Sequence, residues 1–477
     1  MMKRKTSRPP GHPASRIAAA LMSALPLSLC LAATGAGTSS LKSTVVHQVV
    51  VQLIDTSPAT LNAVLTKLRV DGFAVKLTDQ ITSRPVYLLT IGKKRTAQAA
   101  VDDLNEWHDP RLEFAEVNQL VSSDPWLHDD SHAKLNSVLA IGDGATCIDG
   151  PNCEPKAVKD LLRLDKAHTQ STGLGVRVAV LDTGTDWNHP AFATVDFRAQ
   201  YDFLDNDMDA MEGGTEITDI ADFGKSSVGH GTHVAGIVHR VAPDAQLMIG
   251  RILDPTGTGT TWLTAKGIFW AIDPSGTGQM ESGAHVINLS LDTKFDTKVL
   301  HLAADVVTCA AVPTRPAWVS DQTRCTGPEH LQAVVLAAVG NDASDKVKRY
   351  PAAYSIPGLM AVAASDNSPD KVRAMADFTN SGGFVDVAAP GFGILSQFFD
   401  DSHATISGTS MAAPMVSGLA ALVKGLGPSP NAWSASAVVQ RIRDRSVSMC
   451  GLGTPLGFKH VDVAGTVDGD VALGPCP

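Results

Sequence analysis

Val176-Arg177-Val178-Ala179-Val180-Leu181-Asp182-Thr183-Gly184 is the stretch on which the fold turns. Residues 176–181 form a short β-branched run, the pattern of a strand buried on both faces. A carboxylate stands where the strand ends, and Gly184 lets the chain turn. Further apolar strands are read at 245–252, 285–291, 334–339, 359–364 and 385–388, and helices at 230–241, 262–272 and 410–424. Short apolar strands alternating with helices predict a doubly wound α/β domain, with a parallel sheet covered on both faces. Its site is expected at the carboxyl ends of the strands.

Three islands at such positions carry chemistry. Asp182-Thr183-Gly184 alone reads as turn chemistry. It is also the signature of aspartic proteases, but those need a second such carboxylate, and no second Asp-Thr-Gly or Asp-Ser-Gly occurs. Gly229-His230-Gly231-Thr232-His233 opens a helix. His230 and His233 as a metal pair lack the His-Glu-x-x-His context. Ser407-Gly408-Thr409-Ser410-Met411-Ala412-Ala413-Pro414 puts a hydroxyl at a helix start, where a serine is commonly a cap. The order Asp, His, Ser changes the reading. A neutral serine hydroxyl is a poor nucleophile at pH 7 and needs a base, and a histidine base needs an orienting carboxylate. An α/β-hydrolase esterase is excluded, because Ser410 lacks Gly-x-Ser-x-Gly and the chain order is wrong.

These islands resemble those of the subtilisin-like serine peptidases, the subtilase family, from about residue 161 to 463. Ala337-Ala338-Val339-Gly340-Asn341 resembles the family's strand ending in an oxyanion asparagine. Gly257-Thr258-Gly259 resembles one edge that pairs with extended substrate, and Ser290-Leu291 the start of the other. The resemblance implies a subtilisin-like domain over 161–465 acting on polypeptide substrates, with no cofactor for catalysis. It implies Asp182, His230 and Ser410 as the triad and Asn341 as oxyanion donor. It implies Gly257, Thr258, Gly259, Ser290, Leu291 and Gly340 as substrate-binding residues. The family usually continues the second edge with two glycines, where this chain has Asp292-Thr293. Asp342 also follows Asn341. Two carboxylates at the mouth of the S1 pocket would raise the local negative potential, so Lys or Arg is expected to be tolerated at P1 beside large apolar residues.

Upstream, Lys3, Arg4, Lys5, Arg8 and Arg16 precede an apolar run and then small residues at 32–36, which reads as a signal peptide over 1–36. Residues 46–121 follow the order β-α-β-β-α-β of a ferredoxin-like α+β unit. They resemble the family's inhibitory pro-segment, with Glu113-Phe114-Ala115-Glu116-Val117 resembling the pattern near its end. The expected division is a pro-segment at 37–125 acting as intramolecular inhibitor, a linker and mature N-terminal extension at 126–160, and a tail at 466–477. The cut is expected between 121 and 143. Secretion to the medium or periplasm follows, as a monomer with no membrane contact once the signal is removed.

The net charge of −10, from 39 Lys plus Arg against 49 Asp plus Glu, argues against a nucleic-acid partner. With 44% hydrophobic and 18% charged residues, the chain can bury a sizeable core. Of seven cysteines, Cys30 lies in the signal peptide. The others read as disulfides in an exported chain, with neighbours suggesting 147–153, 309–325 and 450–476, one of fifteen connectivities. The alternating carboxylates Asp202, Asp205, Asp207 and Asp209 suit a structural calcium ion, or else form a solvated acidic loop.

Overall fold

The computed structural model describes residues 45–82, 84–123, 140–142, 154–213, 226–276, 282–309, 332–366, 368, 371–450 and 457–469. The expected signal peptide, most of the 126–160 stretch, and Cys147, Cys153, Cys325 and Cys476 lie outside the described residues.

The N-terminal layer runs β1 (Gln48–Leu53), α1 (Pro58–Val70), β2 (Val75–Gln80), β3 (Val86–Ile91), α2 (Ala97–Trp107) and β4 (Leu112–Val117). Its sheet is antiparallel in the order β2-β3-β1-β4. Ser57 and Thr96 cap the two helices through side-chain oxygens. Val49, Val51, Leu68, Leu89 and Leu104 form a separate core beneath them. One expectation is corrected here. The last strand, read as continuous over 112–121, breaks after Val117. Asn118 keeps a hold on β1 through its backbone N–H and Nδ2, and turns its Oδ1 outward. The chain then leaves the sheet and starts again as β5 (Leu120–Ser122).

The larger part comprises β6 (Ala140–Gly142), α3 (Glu154–Leu162), α4 (Leu164–His168), β7 (Arg177–Asp182), β8 (Phe197–Asp202), α5 (His230–Val241), β9 (Gln246–Arg251), β10 (Thr258–Thr260) and α6 (Thr261–Ile272). It continues with β11 (Val286–Leu289), α7 (Lys298–Thr308), β12 (Val334–Ala338), β13 (Leu359–Asp366), β14 (Ala374–Met375), β15 (Val387–Pro390), β16 (Ile394–Gln397) and β17 (His403–Ile406). α8 (Thr409–Gly425), α9 (Ala435–Arg445), β18 (Lys459–His460) and α10 (Val463–Asp468) complete it. The main sheet has the order β18-β15-β13-β12-β11-β7-β9-β8 and is parallel along that path.

Side chains alternate along the strands into two cores. Val178 and Val180 join α5 and α8 on one face, and Ala179 and Leu181 join α6 and α7 on the other. That double burial is why β7 reads as an unbroken apolar run. The strand order reverses between β7 and β11, so the crevice at their carboxyl ends is the expected place for chemistry. α8 is buried on every side. Its last turn is anchored by Lys424, whose Nζ donates to the carbonyls of Gln332 and Trp433, each at 3.0 Å. Burial pushes that ammonium down to about 7. No described helix is long and apolar enough to cross a membrane.

Candidate active site

Asp182 is the last residue of β7 and His230 the first of α5. Asp182 Oδ1 accepts from His230 Nδ1 at 2.7 Å and from the Thr183 N–H at 2.8 Å. Two donors on one oxygen fix the carboxylate, and the carboxylate fixes the ring. The approach of the two elements depends on glycine. A Cβ on Gly231 would lie 2.0 Å from the Gly184 carbonyl oxygen. Ser410 is the second residue of α8, and α8 packs on α5, where Gly418 meets Val238 and Val241. The Ser410 carbonyl is held by Ser290 Oγ at 2.8 Å.

Asn341 follows β12. Its Oδ1 accepts the Thr409 N–H at 2.9 Å, which leaves its Nδ2 as the donor end of the amide beside Gly408 and the start of α8. Gly340 has φ +92, and a Cβ there would lie 2.7 Å from Arg349 Cγ. His233, the other histidine of the second island, faces away from this cluster. Its Nε2 contacts the carbonyls of Ile394 and Ala404, and burial holds its pKa down at about 3. It is a core residue and not half of a metal pair.

The cleft holds the chain's own β5. Leu120, Val121 and Ser122 pair antiparallel with Thr260, Gly259 and Thr258 of β10. On the other side Ser122 exchanges both backbone hydrogen bonds with Asp292, at 2.9 and 2.8 Å. Ser123 donates its N–H to the Gly257 carbonyl at 3.0 Å. The Ser123 carbonyl oxygen then lies 3.3 Å from Ser410 Oγ, and the Ser290 carbonyl 3.4 Å from it. Of the residues expected to bind substrate, Gly257, Thr258 and Gly259 therefore line the strand in the cleft, while Ser290 contacts Ser410 beside it. Leu291 does not: its side chain is in the core under the sheet. Asp292 takes over as the pairing residue.

The N-terminal layer grips the walls of the same cleft. Glu116 accepts from the N–H groups of Lys298 and Val299 at 2.8 Å each, capping α7, whose own Thr297 makes no side-chain cap. Asn118 Oδ1 accepts from the Trp262 N–H at 3.0 Å and the Thr261 hydroxyl at 2.9 Å at the start of α6. Both use the donor-rich end of a helix.

Two sequence expectations are corrected by side chains that short motifs do not reveal. Asp292 and Asp342 do not stand as uncompensated charge. Arg349 lies between them, buried, in a bidentate pair with Asp342 and 3.4 Å from Asp292. Burial pushes the Asp292 carboxyl up to about 7 against the pull of that guanidinium. The acidic stretch 202–209 likewise does not gather into a cation cradle. Asp202 pairs with Arg251 at 2.6 Å and its other oxygen takes the N–H groups of Leu204 and Asp205. Asp205 shares Arg251, while Asp207 and Asp209 cap their own turns. Among the described residues no group of three or more metal-ligating side chains converges.

No motif in the sequence points to Glu212, a buried carboxyl beside the Asp182–His230 pair. It accepts from the hydroxyls of Thr183 and Thr232 and from the Thr232 N–H at 3.1 Å. Burial pushes it up to about 7 against those hydrogen bonds.

Comparison with known proteins agrees with this geometry. The profile described as the Subtilase family matches residues 173–460. The chain is 31% identical over 358 residues to a thermophilic serine proteinase of Bacillus sp. (strain AK1), covering 75% of this chain and 73% of that one. It is 34% identical over 292 residues to thermitase of Thermoactinomyces vulgaris, covering 59% and 85%. Among solved structures, fervidolysin from Fervidobacterium pennivorans, described as a keratinolytic enzyme related to subtilisin, superimposes with a TM-score of 0.64 at 20% identity. That match covers 91% of this chain and 61% of fervidolysin, and shows the likeness of fold.

Proposed function

The chain belongs to the subtilase family of serine peptidases, and from this premise we propose that it is a secreted endopeptidase made as a self-processed precursor. Asp182, His230 and Ser410 are its triad. His230 takes the Ser410 proton as the hydroxyl attacks and returns it to the leaving amine. Asp182 holds the ring with Nδ1 protonated and stabilises the imidazolium. Asn341 Nδ2 and the Ser410 N–H receive the oxyanion. No cofactor takes part in these steps.

The observation that carries the reading is β5 in the cleft. A peptide strand is held on both edges by backbone hydrogen bonds, with a carbonyl oxygen 3.3 Å from the nucleophile. Backbone pairing of this kind serves any extended polypeptide, leaving selectivity to side-chain pockets. The test is a fluorophosphonate probe on the matured protein. Labelling is expected at Ser410, read from the tagged peptide by mass spectrometry. An unlabelled, folded protein overturns the proposal.

On this reading residues 37–125 are the pro-segment and inhibitor, supported by the caps that Glu116 and Asn118 supply and by β5 filling the cleft. The cut falls close after Ser123. Export from a signal peptide at 1–36 is part of the proposal, as are a monomeric state and the three disulfides. The disulfides are supported by Cys309 and Cys450, both disulfide-bonded. Structural calcium, common in the family, is carried without assigned ligands, since the 202–209 carboxylates do not fit the part as they stand.

The charge at S1 yields a specificity prediction. With Arg349 paired to Asp342 and burial pushing the Asp292 carboxyl up to about 7, basic P1 residues gain no special attraction. Arg349→Ala is expected to raise kcat/KM for Lys or Arg at P1 relative to a neutral residue by roughly tenfold, because it uncovers the carboxylates. The ratio is read from two peptides on one preparation, so any loss of folded enzyme cancels. An unchanged ratio removes Arg349 from the specificity of the site.

A further inference from the structure

We propose that Glu212 is a positioning residue that locks the Asp182 and His230 elements in register. The inference rests on the triad reading above and adds a residue to it. Asp182 ends a strand and His230 starts a helix. Their 2.7 Å contact alone does not fix how those two backbones sit. A crossed network does. The residue after Asp182, Thr183, accepts on its hydroxyl the Gly231 N–H at 2.9 Å, from the residue after His230. In return Thr232 accepts on its hydroxyl the Asp186 N–H at 2.8 Å. Each hydroxyl thus spends a lone pair on the opposite element, and its own proton needs an acceptor that holds the side chain in that rotamer. Glu212 is the acceptor for both. One oxygen takes the Thr183 hydroxyl, the other the Thr232 hydroxyl and N–H.

The carboxylate is suited to this by its acceptor count. Three donors converge on two oxygens, in a site where Glu212 is only 2% exposed and water does not substitute. A glutamine of the same shape has one oxygen. Whichever way its amide turns, an NH₂ faces a hydroxyl whose proton then has no acceptor. That hydroxyl rotates, and the N–H it accepted from the opposite element loses its partner. The expected consequence is a small shift of His230 relative to Asp182, of the kind that costs up to about 10²-fold in rate without contact to substrate. Substrate binding, which uses β10, Asp292 and Gly257, lies on other elements and should be left in place.

The experiment uses the full precursor, matured in the ordinary way, with active sites counted by fluorophosphonate. Glu212→Gln is expected to lower kcat per counted site about 10–100-fold with KM within about threefold. Thr183→Val, which keeps the shape and deletes the hydroxyl, is expected to do the same. Thr183→Ser restores the hydroxyl and should recover most of kcat. A merely structural role predicts a lower melting temperature with kcat per site unchanged, and that outcome overturns the proposal. If Glu212→Gln does not fold, the Thr183→Val and Thr183→Ser pair decides alone, and equal kcat in the two is the contrary result. Wild-type enzyme that fails to label at Ser410 sinks the triad reading instead, so the two failures are told apart.

Discussion

Ser410→Ala is expected to accumulate as a folded precursor that keeps residues 45–123 attached. The substitution removes one oxygen from a nearly closed site. That oxygen makes two long hydrogen bonds, to the Ser123 and Ser290 carbonyls at 3.3 and 3.4 Å. The bond from Ser290 Oγ to the Ser410 carbonyl is backbone-directed and survives. The fold should therefore be little affected, whereas loss of a triad serine costs about 10⁶-fold in rate. Because the Ser123 carbonyl, just after β5, lies 3.3 Å from Ser410 Oγ, the first bond to suffer is expected to be the protein's own. In wild type the cut should leave the N-terminal layer bound. Its caps on α6 and α7 and its strand pairing with β10 and Asp292 all lie on the amino side of the cut. The measurement is a gel with N-terminal sequencing, in a host lacking other proteases. Loss of the N-terminal layer from the Ala variant means that another peptidase matures the chain. Recovery of the wild-type layer only as a separate, freely diffusing species contradicts the inhibitory contact.

Much of this arrangement is legible in the sequence because close approach of backbone segments ties short stretches to fixed shapes. Asp182, His230, Asn341 and Ser410 each sit near a glycine that allows a close approach or a turn, so each leaves a local signature. The strands with both faces buried are legible for a related reason. Val178, Ala179, Val180 and Leu181 supply two cores in alternation and leave no polar residue to blur the run. What stays hidden is non-local. β8 is an edge strand with polar residues, Arg198 and Gln200 among them, and its sequence runs straight into acidic turns. β5 and β4 merge in sequence, and only Asn118, by reaching a helix 143 residues on, separates them. Arg349 and Glu212 look like surface residues in loops. Their meaning comes from partners distant in sequence: Asp292 for the first, and Thr183 and Thr232 for the second. The charge at S1 is hidden in the same way. Two carboxylates stand beside recognisable motifs, and the guanidinium that balances them does not.

Asp182→Asn is expected to lower kcat about 10⁴-fold while KM moves little, the size of loss seen when a triad carboxylate is removed. The amide is the same size, so β7 and α5 need not shift. It matters which end of the amide faces His230. The position of Asp182 Oδ1 already receives the Thr183 N–H at 2.8 Å, and an NH₂ there would set donor against donor. Thr183 therefore selects the orientation with oxygen toward Nδ1, and the ring keeps the tautomer that leaves Nε2 able to accept the serine proton. What is lost is the negative charge that stabilises the imidazolium as that proton arrives. The loss falls on the chemical step, which is why kcat and not KM should carry it. Asp182→Ala makes a different demand. It leaves the His230 ring N–H and the Thr183 N–H without their acceptor in a closed site, each at about 1–3 kcal/mol, so its melting temperature should drop as well. Steady-state kinetics on enzyme counted by active-site label, together with thermal melts, separate the two variants. An Asn variant that keeps more than about a tenth of wild-type kcat removes Asp182 from the triad. Maturation supplies an independent reading of the same quantity. Residual turnover acting on a bond already held in the cleft should let the Asn precursor process itself slowly, where the Ser410→Ala precursor does not process at all.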